Sequence, residues 1–392
     1  MSFDFLNSIR WDAIPTYIYA LYGVLVLCTL VQLYYYLVHF GRVLRFSANP
    51  DERKDGVQLP VSIVICAKNE QRNLKKNLPL FLQQDYPHFE VVVVNDGSTD
   101  ESEMLLYDLK QHHSNLQITT IEQDRKFVHD RKLAITVGIK AAHYDNIVFT
   151  EPDCAPPSNR WLATLSGAFG EGGEVVVSYC CNRQRRGIAG KIMRADSVFS
   201  ALFSLHAAIK GKPYRSAIKN MGISQALFFR SKGFARCNAY PQSEETLFLC
   251  RSANRKNTRV ALSRDAILSS SQQLTFGQWF QQKCIYASLV SMGKRGKKHL
   301  RAEMISRALF FLCIAAFIGI AALRHAYLPL AAAAPLLIVR FVAKAVVLSK
   351  AAKKLQERGA AAWLLLYDIF SPILAVITSL AQPNLHRIKK IK

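Results

Sequence analysis

The stretch NIVFTEPDCAP, residues 146–156, runs four apolar or β-branched residues straight into Glu151, Pro152 and Asp153. Carboxylates two residues apart in an extended segment project to the same side of the chain, and Pro152 between them has no N–H to donate. Hard oxygen ligands of this kind suit Mg2+ or Mn2+, with phosphate oxygens and water completing the shell. An ion held by Asp153 would neutralise charge developing on a leaving diphosphate. The plain alternative is a polar turn with proline-fixed geometry. A second candidate is VVVVNDGSTD, residues 91–100. Asp96 ends an apolar run, where it would accept hydrogen bonds from a nucleotide base or ribose. Gly97 lets the chain turn, and Ser98 or Thr99 suits the cap of a following helix, with Asp100 and Glu101 at its positive end. The alternative here is a well-built strand, turn and helix without a ligand. CAKNE, residues 66–70, ends an earlier apolar run with Asn69 and Glu70 in its loop, where capping is an equal reading.

These residues need a frame that brings them together. Residues 60–67, 89–96, 116–123 and 146–153 read as strands, rich in β-branched residues and nearly continuous in apolar character. Between them lie helical patterns. Leu74, Leu78, Phe81 and Leu82 share one face over 71–84, Met104, Leu105 and Leu109 follow the second strand, and 131–145 precedes the fourth. Such alternation implies a mostly parallel sheet covered on both faces. Ligands of such sheets bind beyond the carboxyl ends of the strands, and Asp96 and Asp153 both stand at carboxyl ends. A nucleotide-binding α/β domain is the natural reading.

The 392-residue chain exceeds one ordinary domain, and its apolar residues concentrate at the two ends. Residues 16–40 carry a single His and otherwise no Asp, Glu, Lys or Arg, and are long enough to cross about 30 Å of hydrocarbon. The stretch has no small-residue cleavage site and reads as an uncleaved anchor. Three more apolar stretches cover 305–323, 326–348 and 360–382. Arg340 and Lys344 in the second are placed to snorkel. Asp368 and Pro372 in the third suggest an interfacial or re-entrant segment. The net charge of +23 falls in clusters beside these segments: Arg42 and Arg45, residues 293–301 and residues 350–358. That placement fits the positive-inside rule with residues 41–304 cytoplasmic, and it favours an anionic membrane surface over nucleic acid. Three crossings would put the basic tail 386–392 outside, so one tail segment is expected not to cross. Nine cysteines, none in a CxxC pair, argue for reduced thiols rather than a zinc site or disulfide framework.

In that order, the motifs resemble the cytoplasmic domain of a family 2 glycosyltransferase of GT-A fold. NDGSTD resembles the family segment that carries the nucleotide-contacting Asp, and TEPDC resembles its DxD metal motif, with Glu151 in the first position. DRKLAITVGIKAA, residues 130–142, looks like the family's GKxxALNxGI, which implies that Lys132 lies near the diphosphate. GISQALFFRSKGF, 222–234, is similar to the GxNxAFRKxxF strand and turn on the acceptor side, with Ser224 where Asn is usual. SEETLFL, 243–249, aligns with the acidic EDxxL motif, which implies Glu245 as general base and Glu244 as the residue that orients it. Over 276–289 the QxxRW signature is degenerate, with Gln282 kept but Ile285 and Tyr286 in the Arg and Trp positions. The resemblance covers roughly residues 58–290.

The resemblance implies a membrane-anchored, metal-dependent, inverting glycosyltransferase with a nucleotide-sugar donor. The degenerate QxxRW and the few tail helices point to non-processive transfer, and anchoring beside the bilayer suits a lipid or lipid-linked glycan acceptor. Glu70 and Asp96 would hold the nucleoside, Glu151 and Lys132 would border the diphosphate, and Asp153 would bind Mg2+ or Mn2+. The expected organisation is an anchor over 1–45, a cytoplasmic GT-A domain over 46–272, an amphipathic interfacial helix with a basic segment over 273–304, and two to three membrane helices with a basic tail over 305–392. The rivals are a processive polysaccharide synthase, of poly-N-acetylglucosamine or hyaluronan type, and an inactive membrane scaffold built on the same domain.

Overall fold

The computed structural model describes residues 15–47, 58–122, 130–170, 172–182, 187–214, 218–235, 244–272, 274–292, 297–324, 327–357 and 361–381. Ten strands are seen among them. β1 (Val61–Ala67), β2 (Phe89–Asp96), β3 (Leu116–Ile121) and β4 (Asn146–Thr150) fall where the sequence places them. Further strands are β5 (Cys154–Ala155), β6 (Val175–Val177), β7 (Cys180–Asn182), β8 (Met221–Ser224), β9 (Thr258–Val260) and β10 (Leu268–Ser270).

Seven strands form the main sheet in the order β3-β2-β1-β4-β8-β6-β9. β3, β2, β1 and β4 are parallel, and β8 is antiparallel to both of its neighbours. The continuous apolar pattern of β1 and β2 follows from two covered faces. Ile63, Ile65, Val91 and Val93 enter one buried cluster with Leu74, Leu78 and Trp161, while Val64 and Val92 enter the other with Ile135 and Ile139. Each such fully buried side chain contributes about 1.5–3 kcal/mol. The register fixes what the strand ends can do together. Ile65 stands beside Val93 on one side and Thr150 on the other, so the carboxyl ends of β1, β2 and β4 lie at one level. The chain leaves β1 for β2 on one side and returns to β4 on the other, which makes this level the topological switch point of the sheet.

The Arg131–Ala141 helix lies against β1 and β2. Asp130 caps it, its carboxylate accepting from the Leu133 N–H at 3.0 Å. Gly138 is the contact point, since a Cβ there would meet the Val64 methyl at 2.5 Å. A second, three-stranded sheet, β5-β10-β7, sits beside the end of β4 and pairs Ser270 with Cys154.

Among the described residues, five helices are long and apolar enough to cross a membrane: Thr16–Arg45, Gly187–Ile209, Lys298–Arg324, Leu328–Lys354 and Trp363–Leu380. Gly187–Ile209 escapes the sequence reading because it belongs equally to the domain. Val198, Phe199, Leu202 and Leu205 join a core that continues from the sheet into Tyr36, Phe40, Leu348 and Tyr367 of the flanking helices. The flanking helices also correct an expectation about charge. Arg340 and Lys344 do not snorkel but turn inward onto Asp368, with Arg340 Nη2 at 2.5 Å and Lys344 in direct contact. Arg307 Nε is 3.1 Å from Oδ1, the oxygen that Lys344 also contacts, while Arg340 takes Oδ2. Asp368 is therefore buried among three cations, which explains how an acidic residue is tolerated in an apolar helix. Gln32 ties the N-terminal helix to the same cluster, accepting from Arg340 Nε at 2.5 Å and donating to the Ser306 carbonyl at 3.1 Å.

Candidate active site

At the carboxyl ends of β1, β2 and β4 lies a cavity of about 780 Å³. Glu70, Asp96, Glu151 and Asp153, which the sequence singles out from separate segments, all line it. The β1 and β2 loops that form its floor are latched together. Asn69 takes a left-handed conformation, φ 55°, which Asn tolerates better than most residues. Its Oδ1 accepts from the Thr99 N–H at 2.8 Å, and its own N–H donates to Ser98 Oγ at 3.0 Å. Ser98 and Thr99 thus bind the neighbouring loop instead of capping the helix after β2. Asp100 takes that part, accepting from the Ser102 N–H at 3.1 Å and reaching across to the Gln71 N–H at 3.1 Å. Glu70 accepts from Asn73 Nδ2 at 2.6 Å, and Lys68 Nζ lies 4.0 Å from Asp96. Burial pushes the Cys66 thiol in the cavity wall up to about 12, so it remains protonated.

The opposite wall carries charges of both signs. Glu151 pairs with Arg131 through one oxygen and with Lys219 Nζ through the other, at 2.8 Å. Lys219 Nζ lies also 2.9 Å from Asp153 Oδ2, 3.1 Å from Gln272 Oε1 and 3.3 Å from Ser270 Oγ. The Ser270 hydroxyl donates to the same Asp153 oxygen, and the Cys154 thiol faces the other at 3.6 Å. Burial by itself would raise the Asp153 pKa; Lys219, then Ser270, outweigh it and hold the carboxyl below its usual range. Burial would likewise discharge Lys219, but Glu151 and Asp153 keep it charged.

Residues 62–234 match the family described as Glycosyl transferase family 2. This stretch is a family 2 glycosyltransferase domain. The whole chain is similar in fold to a mannosyltransferase from Pyrobaculum calidifontis, solved in complex with GDP-Man and Mn2+, with a TM-score of 0.56 and 18% identity over 92% of this chain and 99% of that one. Among curated relatives, the poly-beta-1,6-N-acetyl-D-glucosamine synthase of Staphylococcus epidermidis strain ATCC 35984 is 28% identical over 93 residues, 24% of this chain and 21% of its own. The enzyme of the same name from Staphylococcus aureus strain COL is 28% identical over 124 residues, 31% of this chain and 28% of its own. The match thus spans about a quarter of the length of those relatives.

Within the glycosyltransferase domain, not every expected site residue lines the cavity. Lys132 does not line the cavity; it lies 3.4 Å from Asp130. Arg131 lines the cavity instead. Neighbours on a helix differ by about 100° in direction, which is why only one of the pair faces the cavity. Glu245 is buried at the start of the Glu244–Ser252 helix, 4% exposed, and outside the described wall of the cavity. It is close to Arg131 all the same. Burial would lower the Arg131 pKa, and Glu151 followed by Glu245 raises it. The side chain of Glu244 lies outside the described residues. Tyr286, in the degenerate signature, lies on the Phe276–Met292 helix.

The side chains around Asp153 do not fit a Mg2+ or Mn2+ ion. Every carboxylate oxygen of Glu151 and Asp153 already faces a donor, and an ammonium sits between the two groups where a divalent ion would have to bind. Among the described residues, no three His, Cys, Asp or Glu side chains converge in a metal-holding arrangement. Lys219 is the residue that sequence reasoning missed. The signal for it is the register of β8, which pairs Met221 with Phe149. Extending that antiparallel register two residues past the pair puts Lys219 opposite Glu151.

Proposed function

We propose that this chain is a membrane glycosyltransferase that moves a sugar from a nucleotide-sugar to a lipid or lipid-linked glycan. One observation carries the reading: four acidic residues from three distant segments line one cavity at the switch point of a family 2 domain. Asp96 and Glu70 are assigned to the nucleoside, and Arg131 to the diphosphate. Glu245 is assigned as the base that takes the acceptor proton, supported by its burial and its electrostatic contact with Arg131. A carboxylate held this way suits direct displacement with inversion.

The acceptor assignment is supported by a second cavity of about 230 Å³ between the domain and the membrane-length helices. Its wall joins apolar Phe199 and Leu374 to polar Lys283, Arg301 and Arg307. A lipid chain matches the first set; in the second, Lys283 and Arg307 pair with Asp196 and Glu303 of the same wall, so Arg301 is the cation that an anionic head group would meet. Basic residues beside the apolar helices support a cytoplasmic domain on the cell membrane. The staphylococcal relatives favour a second reading, synthesis of an N-acetylglucosamine polymer. Detergent-solubilised protein, supplied with a panel of nucleotide-sugars and lipid extract, should release one nucleoside diphosphate and yield a lipid-extractable product carrying a single added sugar. A water-soluble polymer would support the second reading, and release unaffected by omitting lipid would overturn the lipid acceptor.

A further inference from the structure

We infer that the ammonium of Lys219 serves as the resident cation of this site, so that the diphosphate of the donor binds without a divalent metal. The inference rests on the nucleotide-sugar reading above and concerns how that ligand is held. Its basis is the place of Lys219. The side chain enters from the turn before β8, contacts Glu151 at 2.8 Å and Asp153 at 2.9 Å, and is only 17% exposed. Gln272 and Ser270 complete its shell at 3.1 and 3.3 Å. An ammonium has three N–H donors and no acceptor, and here oxygens of four side chains surround it.

The charge balance makes the consequence specific. Glu151 and Asp153 carry two negative charges, and Lys219 with Arg131 carries two positive ones. The two cations offset Glu151 and Asp153, so these two carboxylates present no net negative charge of their own to a diphosphate. Arg131 lines the cavity, and its planar group offers five N–H donors, of which the Glu151 pair uses a part. The guanidinium is thus the group that contacts the phosphates, and Lys219 is a positioning residue behind it. A divalent ion would have to expel Lys219 from a buried shell and leave an ammonium without its partners, at a cost in free energy.

The probes are UDP, GDP, dTDP and CDP, titrated calorimetrically into the full-length protein in detergent, with EDTA or with Mn2+. Mn2+ alone is followed by its electron paramagnetic resonance signal. At least one diphosphate should bind with affinities that agree within about twofold in the two conditions, and the free Mn2+ signal should be unchanged by the protein. Lys219→Met leaves two carboxylates with one cation. It should weaken that diphosphate by about tenfold or more in EDTA and regain the loss with Mn2+. Binding to the unmodified protein that strengthens about tenfold or more with Mn2+ would overturn the inference, because the metal would then displace the lysine. Absence of binding by every diphosphate in both conditions would instead overturn the nucleotide-sugar reading and the inference with it. Should Lys219→Met fail to fold, the comparison on the unmodified protein decides alone.

Discussion

Asp368 offers a demanding test of how the membrane-length helices are held together. Its carboxylate is buried and faces Arg340 at 2.5 Å, Arg307 at 3.1 Å and Lys344 in direct contact. The other acid in the cluster is Glu303, paired to Arg307. Asp368→Asn keeps the shape and removes one of two negative charges that oppose three positive ones. Removing one partner of a buried pair costs about 3–5 kcal/mol, chiefly because the charge left behind stays desolvated. At about 2.1 cal/mol/K of unfolding entropy per residue, a cooperative unit of 392 residues moves its midpoint by about 1.2 °C per kcal/mol, so the expected fall is about 4–6 °C. Thermal unfolding in detergent, followed by circular dichroism, measures it. Adding Lys344→Met takes away one stranded cation, and the double variant should recover part of the loss, with a coupling of about 0.5–3 kcal/mol. A fall of less than about 2 °C for Asp368→Asn would show that water reaches the carboxylate, and would refute the reasoning.

Three further outcomes are expected. Arg131→Met should weaken nucleoside diphosphate binding about tenfold or more, whereas Lys132→Met should change it by less than about twofold, as read by calorimetry. Gly138→Ala drives a methyl into Val64 and Val94, at 2.5 and 3.0 Å, and should destabilise the protein by about 1–3 kcal/mol in thermal melts. Asp153 is held below the usual carboxylate range against the effect of burial, by Lys219 first and Ser270 second. A depressed carboxyl contributes stability that is complete above its unfolded value, about 3.9, and is lost as the pH falls through the folded one. The difference in melting temperature between the native protein and Asp153→Asn should therefore be constant near neutrality and shrink below about pH 4.

Much of the frame was legible because long parallel strands announce themselves. β1, β2 and β4 are runs of Val and Ile with both faces buried, and their polar ends stand out by contrast. Once the strands are parallel, Glu70, Asp96, Glu151 and Asp153 must come to one edge, and they do. The short strands were not legible. β5 has two residues, and β6, β7, β9 and β10 have three each, too few for any periodicity to appear. Their hydrogen bonds are long-range, so nothing local marks them. The Gly187–Ile209 helix was missed for the opposite reason. Its apolar residues serve the sheet on one side and the membrane-length helices on the other, and no clean polar face remains to define it.

The chemistry of the site depended on the least legible part. Which cation faces Glu151 and Asp153 is decided by β8, a four-residue strand, and by the β10 strand that delivers Ser270. A shift of β8 by one residue would turn Lys219 away and bring Asn220, a neutral side chain, to the carboxylates. That register is pinned by Gly222, which lies against Phe169 so closely that a Cβ would meet the ring at 2.5 Å. The Asn220 amide holds it as well, donating to the carbonyls of Tyr179 at 2.7 Å and Ala266 at 2.8 Å. Packing at Gly222 and hydrogen bonding at Asn220 thus select the residue between the carboxylates, although the Asn220 amide bonds to neither acid. An acidic motif read alone suggests a metal; the strand beside it determines whether that motif has already been given a cation.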